Sequence, residues 1–311
     1  RHAGGAFLGA ADQRFRDRDH GFLFRKARDA DRALAGGHDL AGIDPVGVAA
    51  TRDVDALLDL GADCVLYSPV VADEAVVARL LASGLNVVTP LGWFHPGERD
   101  VTAVREAALA GGVTLHGTGI HPGGVTELFP LMVSALSQRI THVRAEEFSD
   151  IRTYGAPAVI RDWVLFGATP EQARTSIMAD ALGAGFRQSV WMLAAELGFD
   201  LDPHLRTTHD VAVATAPIDS PIGPIAPGLV AAQRFRWEGL VDGEPVISAA
   251  VNWLMGEEHL DPPWAFGPGG ERFEVEVTGD PGTLVTVKGL HPATIEAGMA
   301  RNPGIVATAM H

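Results

Sequence analysis

The chain has 311 residues, 47% hydrophobic and 20% charged, enough for about two domains with cores of their own, which excludes a disordered or fibrous protein. Lys and Arg number 24 against 39 Asp and Glu, and the net charge of −15 repels phosphate backbones and anionic lipid, so neither nucleic acid nor a membrane surface is an expected partner. The single cysteine, Cys64, excludes an internal disulfide and a zinc cluster, so a cytoplasmic protein without a bound metal is expected.

Residues 1–42 stand apart. They hold eight Arg or Lys, six Asp, no Glu, and neither Val nor Ile, the residues a buried strand favours. A dinucleotide fingerprint belongs here, but only Gly4 and Gly9 keep its outer spacing, because Ala6 stands at the middle position. Arg25, after GFLF, falls where a ribose would lie, and a basic residue there suits a 2′-phosphate, while a solvated charge run accounts for it equally simply. The segment reads as a first βαβ unit with a damaged sequence, and the chain as a piece that stops inside a C-terminal helix over 291–311.

From residue 44 onward strands and helices alternate. Strands are predicted at 63–67 (DCVLY), 86–89 (NVVT) and 113–116 (VTLH), and helices at 73–83 (DEAVVARLLAS) and 100–110 (DVTAVREAALA), each helix closed by a glycine. That order is the signature of a parallel, doubly wound α/β sheet of the Rossmann type, whose ligand sits beyond the carboxyl ends of the strands. The residues at those ends are Ser68 and Pro69, Thr89, and the segment Gly117, Thr118, Gly119, Ile120, His121, Pro122, Gly123 (GTGIHPG). Its glycines allow a ligand close to the backbone, and a helix predicted over 126–137 would point its N-terminus at an anion or carbonyl. A tight strand-to-helix turn needs the same glycines, so both readings stand at this level.

Beyond residue 140 the pattern changes to an α+β domain built on an antiparallel sheet. Strands are predicted at 141–149, 229–241, 244–255, 272–278 and 284–288, with turns at Asp242-Gly243 and Asp280-Pro281-Gly282 and helices within 170–197. An open face of that sheet would pair in a homo-oligomer. Alternation sends Glu146 and Glu147 to opposite faces, so one of them can enter a cleft. Arg152 and Tyr154, two apart, could project together as a carboxylate clamp and a proton donor, or close a solvated strand end with ordinary ion pairs. The domains expected are 1–122 for the dinucleotide, 123–290 for the substrate, and 291–311 returning to the first.

The stretches NVVTP, GTGIHPGGVTELFP, AEEFSDIRTYGAP, APIDSPIGPI, AAQRFRWEG, VNWLMGEE and RNPGIVATAMH resemble the dihydrodipicolinate reductase-like family, in the branch near 2,4-diaminopentanoate dehydrogenase and the NAD(P)H-dependent amine dehydrogenases. The resemblance implies NAD or NADP as coenzyme and hydride transfer between nicotinamide and a small imine, amine or carbonyl compound. It places Gly117, Thr118 and Gly119 beside the nicotinamide, with Ser68, Pro69 and Thr89 in the same crevice. The chain departs from the branch in two ways. Gly92-Trp93-Phe94-His95 stands where those relatives carry a glutamate, and His121 replaces their asparagine. His121 is thus the leading candidate for proton transfer, Glu147 the second, with Arg152 and Tyr154 orienting the substrate. The missing glutamate leaves a non-catalytic coenzyme-binding or regulatory protein as the alternative.

Overall fold

A computed structural model describes residues 53–288 apart from 70, 71, 98, 155, 156 and 177. Gly4, Gly9, Arg25 and the segment 291–311 lie outside the described residues. Among the described residues the chain divides into two compact units between Gly119 and Ile120, where the sequence reading has its boundary at 122.

The first unit runs α1 (Val54–Leu58), β1 (Cys64–Leu66), α2 (Glu74–Ala82), β2 (Asn86–Thr89), α3 (Thr102–Gly111) and β3 (Leu115–Gly117). The strands lie in the order β1-β2-β3, all parallel, with Val65 opposite Val87 and Val88 opposite His116. Asp73 starts α2 by accepting the amides of Ala75 and Val76, satisfying two donors that the first turn leaves orphaned. Val77, Leu80 and Leu81 on its inner stripe pack with Val87, Trp93 and Val104. Burying such side chains is worth about 1.5–3 kcal/mol each, which holds a sheet of very short strands together. Cys64, at the start of β1, is exposed.

The second unit holds a seven-stranded sheet in the order β10-β9-β4-β7-β6-β5-β8. Its strands are β4 (Arg139–Asp150), β5 (Arg206–Ala214), β6 (Val230–Val241), β7 (Glu244–Leu254), β8 (Leu260–Asp261), β9 (Arg272–Asp280) and β10 (Thr283–Val287). Its helices are α4 (Phe129–Ser134), α5 (Pro157–Asp162), α6 (Pro170–Arg174) and α7 (Met178–Leu197). The sheet is mixed and not purely antiparallel, because β4 and β7 at its centre run parallel. Their side chains meet across nearly a hundred residues of intervening chain, a pairing that local pattern does not encode. At the β6–β7 turn Asp242 and Gly243 both take positive φ (53° and 81°), as a two-residue hairpin turn requires. The Asp202 carboxylate accepts both of their amides.

The two faces of this sheet differ. Helix α7 covers one, burying Phe186, Val190, Leu193 and Ala194 against Phe235, Trp237, Ile247, Ala249 and Val251. On the other, Arg144 pairs with Glu146 (2.5 Å), Glu274 (3.1 Å) and Glu276 (2.7 Å), Asn252 donates to Glu146 (2.8 Å), and Arg206 pairs with Glu238 (2.7 Å). Strand alternation thus sends Glu146 to the ionic face and Glu147 to the side of α7.

Two local expectations are revised. The helix predicted over 126–137 is a π-turn at Gly124–Leu128 followed by the short α4. Pro130, near the start of α4, has no N–H to offer the carbonyl of Thr126, so a regular α ladder cannot run through it. Strand β4 stops at Asp150, and a 3-10 turn at Ile151–Thr153 follows, capped by the Asp150 carboxylate on the Arg152 amide. Arg152 and Tyr154 therefore do not alternate along a strand.

Candidate active site

The carboxyl ends of the first unit's strands bring together Ser68 and Pro69 after β1, Thr89 at the end of β2, and Gly117, Thr118 and Gly119 from β3 onward. Thr89 and Thr118 are buried, and the Thr118 amide donates to the Thr89 carbonyl (2.9 Å), tying the two strand ends. At Gly117 the backbone passes so near the segment after β2 that an added Cβ would lie 2.1 Å from the Trp93 carbonyl oxygen. Only glycine fits there. Trp93 itself is buried, and its indole N–H has no acceptor among the described residues. A buried donor left unpaired costs about 1–3 kcal/mol, so an acceptor supplied by a bound dinucleotide fits this end of the sheet.

In the second unit the turn after Gly119 delivers His121 into an aromatic stack. The imidazole lies 5.6 Å from the Phe186 ring and 5.4 Å from Phe273, and Phe186 in turn stacks on Trp237 at 4.2 Å. Small residues on α7 make room for it. A Cβ on Gly185 would come within 2.9 Å of Pro122, and one on Gly183 within 2.9 Å of the Trp237 indole nitrogen.

The His121 Nε2 faces Oε2 of Glu147 at 3.3 Å, with both side chains nearly closed to solvent. The contact is too poorly aligned for a hydrogen bond, and both ring nitrogens lack a partner among the described residues. Burial pushes the imidazole down to a pKa of about 3, so the ring is neutral across the physiological range. Burial also raises the Glu147 carboxyl, opposed by the hydrogen bonds that its Oε1 accepts from Ser149 Oγ (2.6 Å) and Trp253 Nε1 (3.1 Å). The sequence-derived pair His121 and Glu147 is thus one constellation.

Arg152 and Tyr154 follow β4 with partners of their own, and Glu271, whose charge acts on both Glu147 and Arg152, lies between them electrostatically. The Arg152 guanidinium is held by Asp150, with Nε 3.0 Å from both carboxylate oxygens, and it covers Gly256. Tyr154 packs on the cluster formed by Ile151, Ile160 and Phe166. Sequence reasoning missed Glu127, a buried carboxyl on the π-turn that accepts from the Gly123 amide, Thr126 Oγ1 (2.9 Å) and Ser189 Oγ. Nothing local announced it, since in a predicted helix start a glutamate reads as an ordinary dipole partner.

Residues 125–252 match the family model described as the 2,4-diaminopentanoate dehydrogenase C-terminal domain. An amine dehydrogenase from Streptomyces virginiae is 30% identical over 278 residues, 85% of this chain and 75% of that protein. A 2,4-diaminopentanoate dehydrogenase from Acetoanaerobium sticklandii is 27% identical over 139 residues, 44% of this chain and 39% of that protein. The solved structure of an amine dehydrogenase from Mycobacterium smegmatis superposes with a TM-score of 0.63 at 20% identity, covering 91% of this chain and 82% of that one, and shares the fold. The chain is therefore an NAD(P)-dependent oxidoreductase. It belongs to the amine dehydrogenase family.

Proposed function

We propose that the chain interconverts a small primary amine and the corresponding carbonyl compound, with Glu147 as the proton-handling group and His121 as its neutral neighbour. The observation that carries this reading is the buried carboxyl of Glu147 facing the uncharged His121 ring at 3.3 Å. A general acid or base works best with a pKa drawn toward the working pH, and desolvation moves Glu147 in that direction. His121, held neutral by burial, is the weaker base, so the order of the two candidates read from the sequence is reversed here. Gly117, Thr118, Gly119, Ser68, Pro69 and Thr89 would hold the coenzyme at the strand ends, with Trp93 donating to it.

When bound, the coenzyme supplies the hydride acceptor or donor. In the oxidative direction Glu147 takes a proton from the substrate ammonium, leaving the nitrogen lone pair free to form the C=N bond as the α-hydrogen departs as hydride. Glu147 then releases that proton to solvent and, again a carboxylate, takes a proton from the water that adds to the iminium carbon and passes it to the departing nitrogen, so that carbonyl product and ammonium leave. The Ser149 hydroxyl and the Trp253 indole N–H steady the carboxylate while it is charged. The test is the change in reduced-coenzyme absorbance with small amines, and in reverse with ketones plus ammonium. Coenzyme binding with no hydride transfer to any of these would instead support the non-catalytic reading, which the absence of a carboxylate in Gly92-Trp93-Phe94-His95 favours.

In the same reading the chain forms a homo-oligomer in the cytoplasm. Support for assembly comes from the sheet face opposite α7, where Arg236 keeps a buried Nε without a partner among the described residues. Support for the compartment comes from the lone Cys64. No helix among the described residues is long and apolar enough to cross a membrane.

A further inference from the structure

Besides the backbone bonds to the Gly123 carbonyl, three contacts pin the turn that carries His121 to the second unit. The Val125 amide donates to the Ile120 carbonyl (3.1 Å), Pro122 packs on Gly185 of α7, and the Gly123 amide donates to Glu127. Only the last of these involves an ionisable group. Gly123 itself takes φ 135° and ψ −121°, a conformation open to glycine alone, and its carbonyl accepts the amides of Glu127 (3.0 Å) and Leu128 (3.2 Å), so Glu127 grips the turn through its backbone as well as its side chain.

Glu127 closes a small ring of hydroxyls. Thr126 Oγ1 lies 2.9 Å from Glu127 Oε2, Ser189 Oγ contacts Glu127 Oε1, and Ser189 Oγ lies 3.1 Å from Thr126 Oγ1. With the carboxyl ionised, Ser189 and Thr126 both donate to it, along with the Gly123 amide. With the carboxyl protonated, its O–H donates to Ser189, Ser189 donates to Thr126, and Thr126 donates back to the other carboxyl oxygen. Either state satisfies the group, but the Ser189 proton changes partner between them. Gly185, Phe186 and Ser189 share one face of α7, so the residues that touch Pro122, His121 and Glu127 move together.

We propose that Glu127 is a positioning residue for the His121–Glu147 pair: through the Gly123 amide and Ser189 its carboxyl sets the turn that carries His121, and gain or loss of its proton resets that turn. This rests on the reading of His121 and Glu147 as the reacting constellation. Burial lifts the Glu127 carboxyl to a pKa of about 7, opposed by its three hydrogen bonds, so the change falls in the working range. The partners that the Glu127 carboxyl meets, Ser189, Thr126 and the Gly123 amide, are uncharged; β4 and β9 carry Arg144, Glu146, Arg272, Glu274 and Glu276 on the ionic face of the sheet, while His121 and Glu147 lie on the α7 side. The faces that α4, α7 and β9 turn toward it carry Phe129 and Val133, Gly185, Phe186 and Ser189, and Phe273 and Val275, all uncharged.

The experiment is a pH titration of the His121 ring nitrogens by nitrogen-15 NMR on the whole chain, in the parent protein, Glu127→Gln, Glu147→Gln and Ser189→Ala. The parent and Glu147→Gln should show a step in the His121 shifts near neutral pH, although the ring does not protonate there. Glu127→Gln should lose the step, and Ser189→Ala, lacking one donor to the carboxylate, should move it to higher pH. A step that survives in Glu127→Gln, or an unmoved midpoint in Ser189→Ala, overturns the proposal, and the second variant decides should the first not fold. In turnover, Glu127→Gln should lose the kcat limb at the same pH, worth about tenfold between about pH 6 and 8, with KM for coenzyme unchanged. A chain that oxidises no amine yet shows the NMR pattern refutes the proposed reaction and leaves the Glu127 linkage standing.

Discussion

Replacing Glu147 by Gln separates its chemistry from its packing. Gln keeps a carbonyl oxygen for the Ser149 hydroxyl and the Trp253 indole N–H, at present 2.6 and 3.1 Å from Oε1, and its amide can face the His121 nitrogen. The exchange of two charge-assisted hydrogen bonds for neutral ones, offset by removal of a buried charge, should alter stability by no more than about 1 kcal/mol. The proton-accepting function has no such substitute. Loss of a positioned acid or base costs about 10²–10⁴-fold in rate, so kcat should fall by that factor while coenzyme affinity holds. The assay is the single-turnover rate of coenzyme reduction with amine, alongside tryptophan quenching for coenzyme binding and thermal melting for the fold. A Glu147→Gln variant with kcat within about threefold of the parent refutes the assignment of proton transfer to this carboxyl.

Stability should depend on pH through two buried groups of opposite sign. His121 has a folded-state pKa of about 3 against 6.5 unfolded, so the unfolded chain binds protons more readily as pH falls below 6.5, and on the order of 5 kcal/mol is withdrawn between there and pH 3. Glu127, at about 7 folded against 4.5 unfolded, stabilises the protonated fold at low pH, and that contribution, on the order of 3 kcal/mol, is lost as pH rises through 7. Urea midpoints across pH should show His121→Phe removing the acid-side loss and Glu127→Gln the neutral-side one; unchanged slopes in both refute the burial argument. Gly185→Ala brings a Cβ to 2.9 Å from Pro122 and should destabilise by about 1–3 kcal/mol, read as a lowered Tm, with the His121 NMR signals displaced. Arg144→Met strips the partner shared by three carboxylates, including the buried Glu146, and should cost about 3–5 kcal/mol in urea unfolding, largely recovered by adding Glu146→Gln; additive losses refute that coupling.

The elements most legible from residue pattern were those whose hydrogen bonds close locally. Helix α2 announced itself by the Asp73 cap and the Val77, Leu80, Leu81 stripe, and the β6–β7 hairpin by Asp242-Gly243. Strand alternation by itself likewise separates Glu146 from Glu147. The register of β4 beside β7, and with it the mixed sheet, depended on pairing between distant stretches, whose energy resides in side chains that meet only when packed. Pairing of His121 with Glu147, the capture of Arg152 by Asp150 and the burial of Glu127 were settled at the same level. Proximity and desolvation are properties of the folded chain, and they decide which of many ionisable residues has its proton affinity displaced far enough to matter.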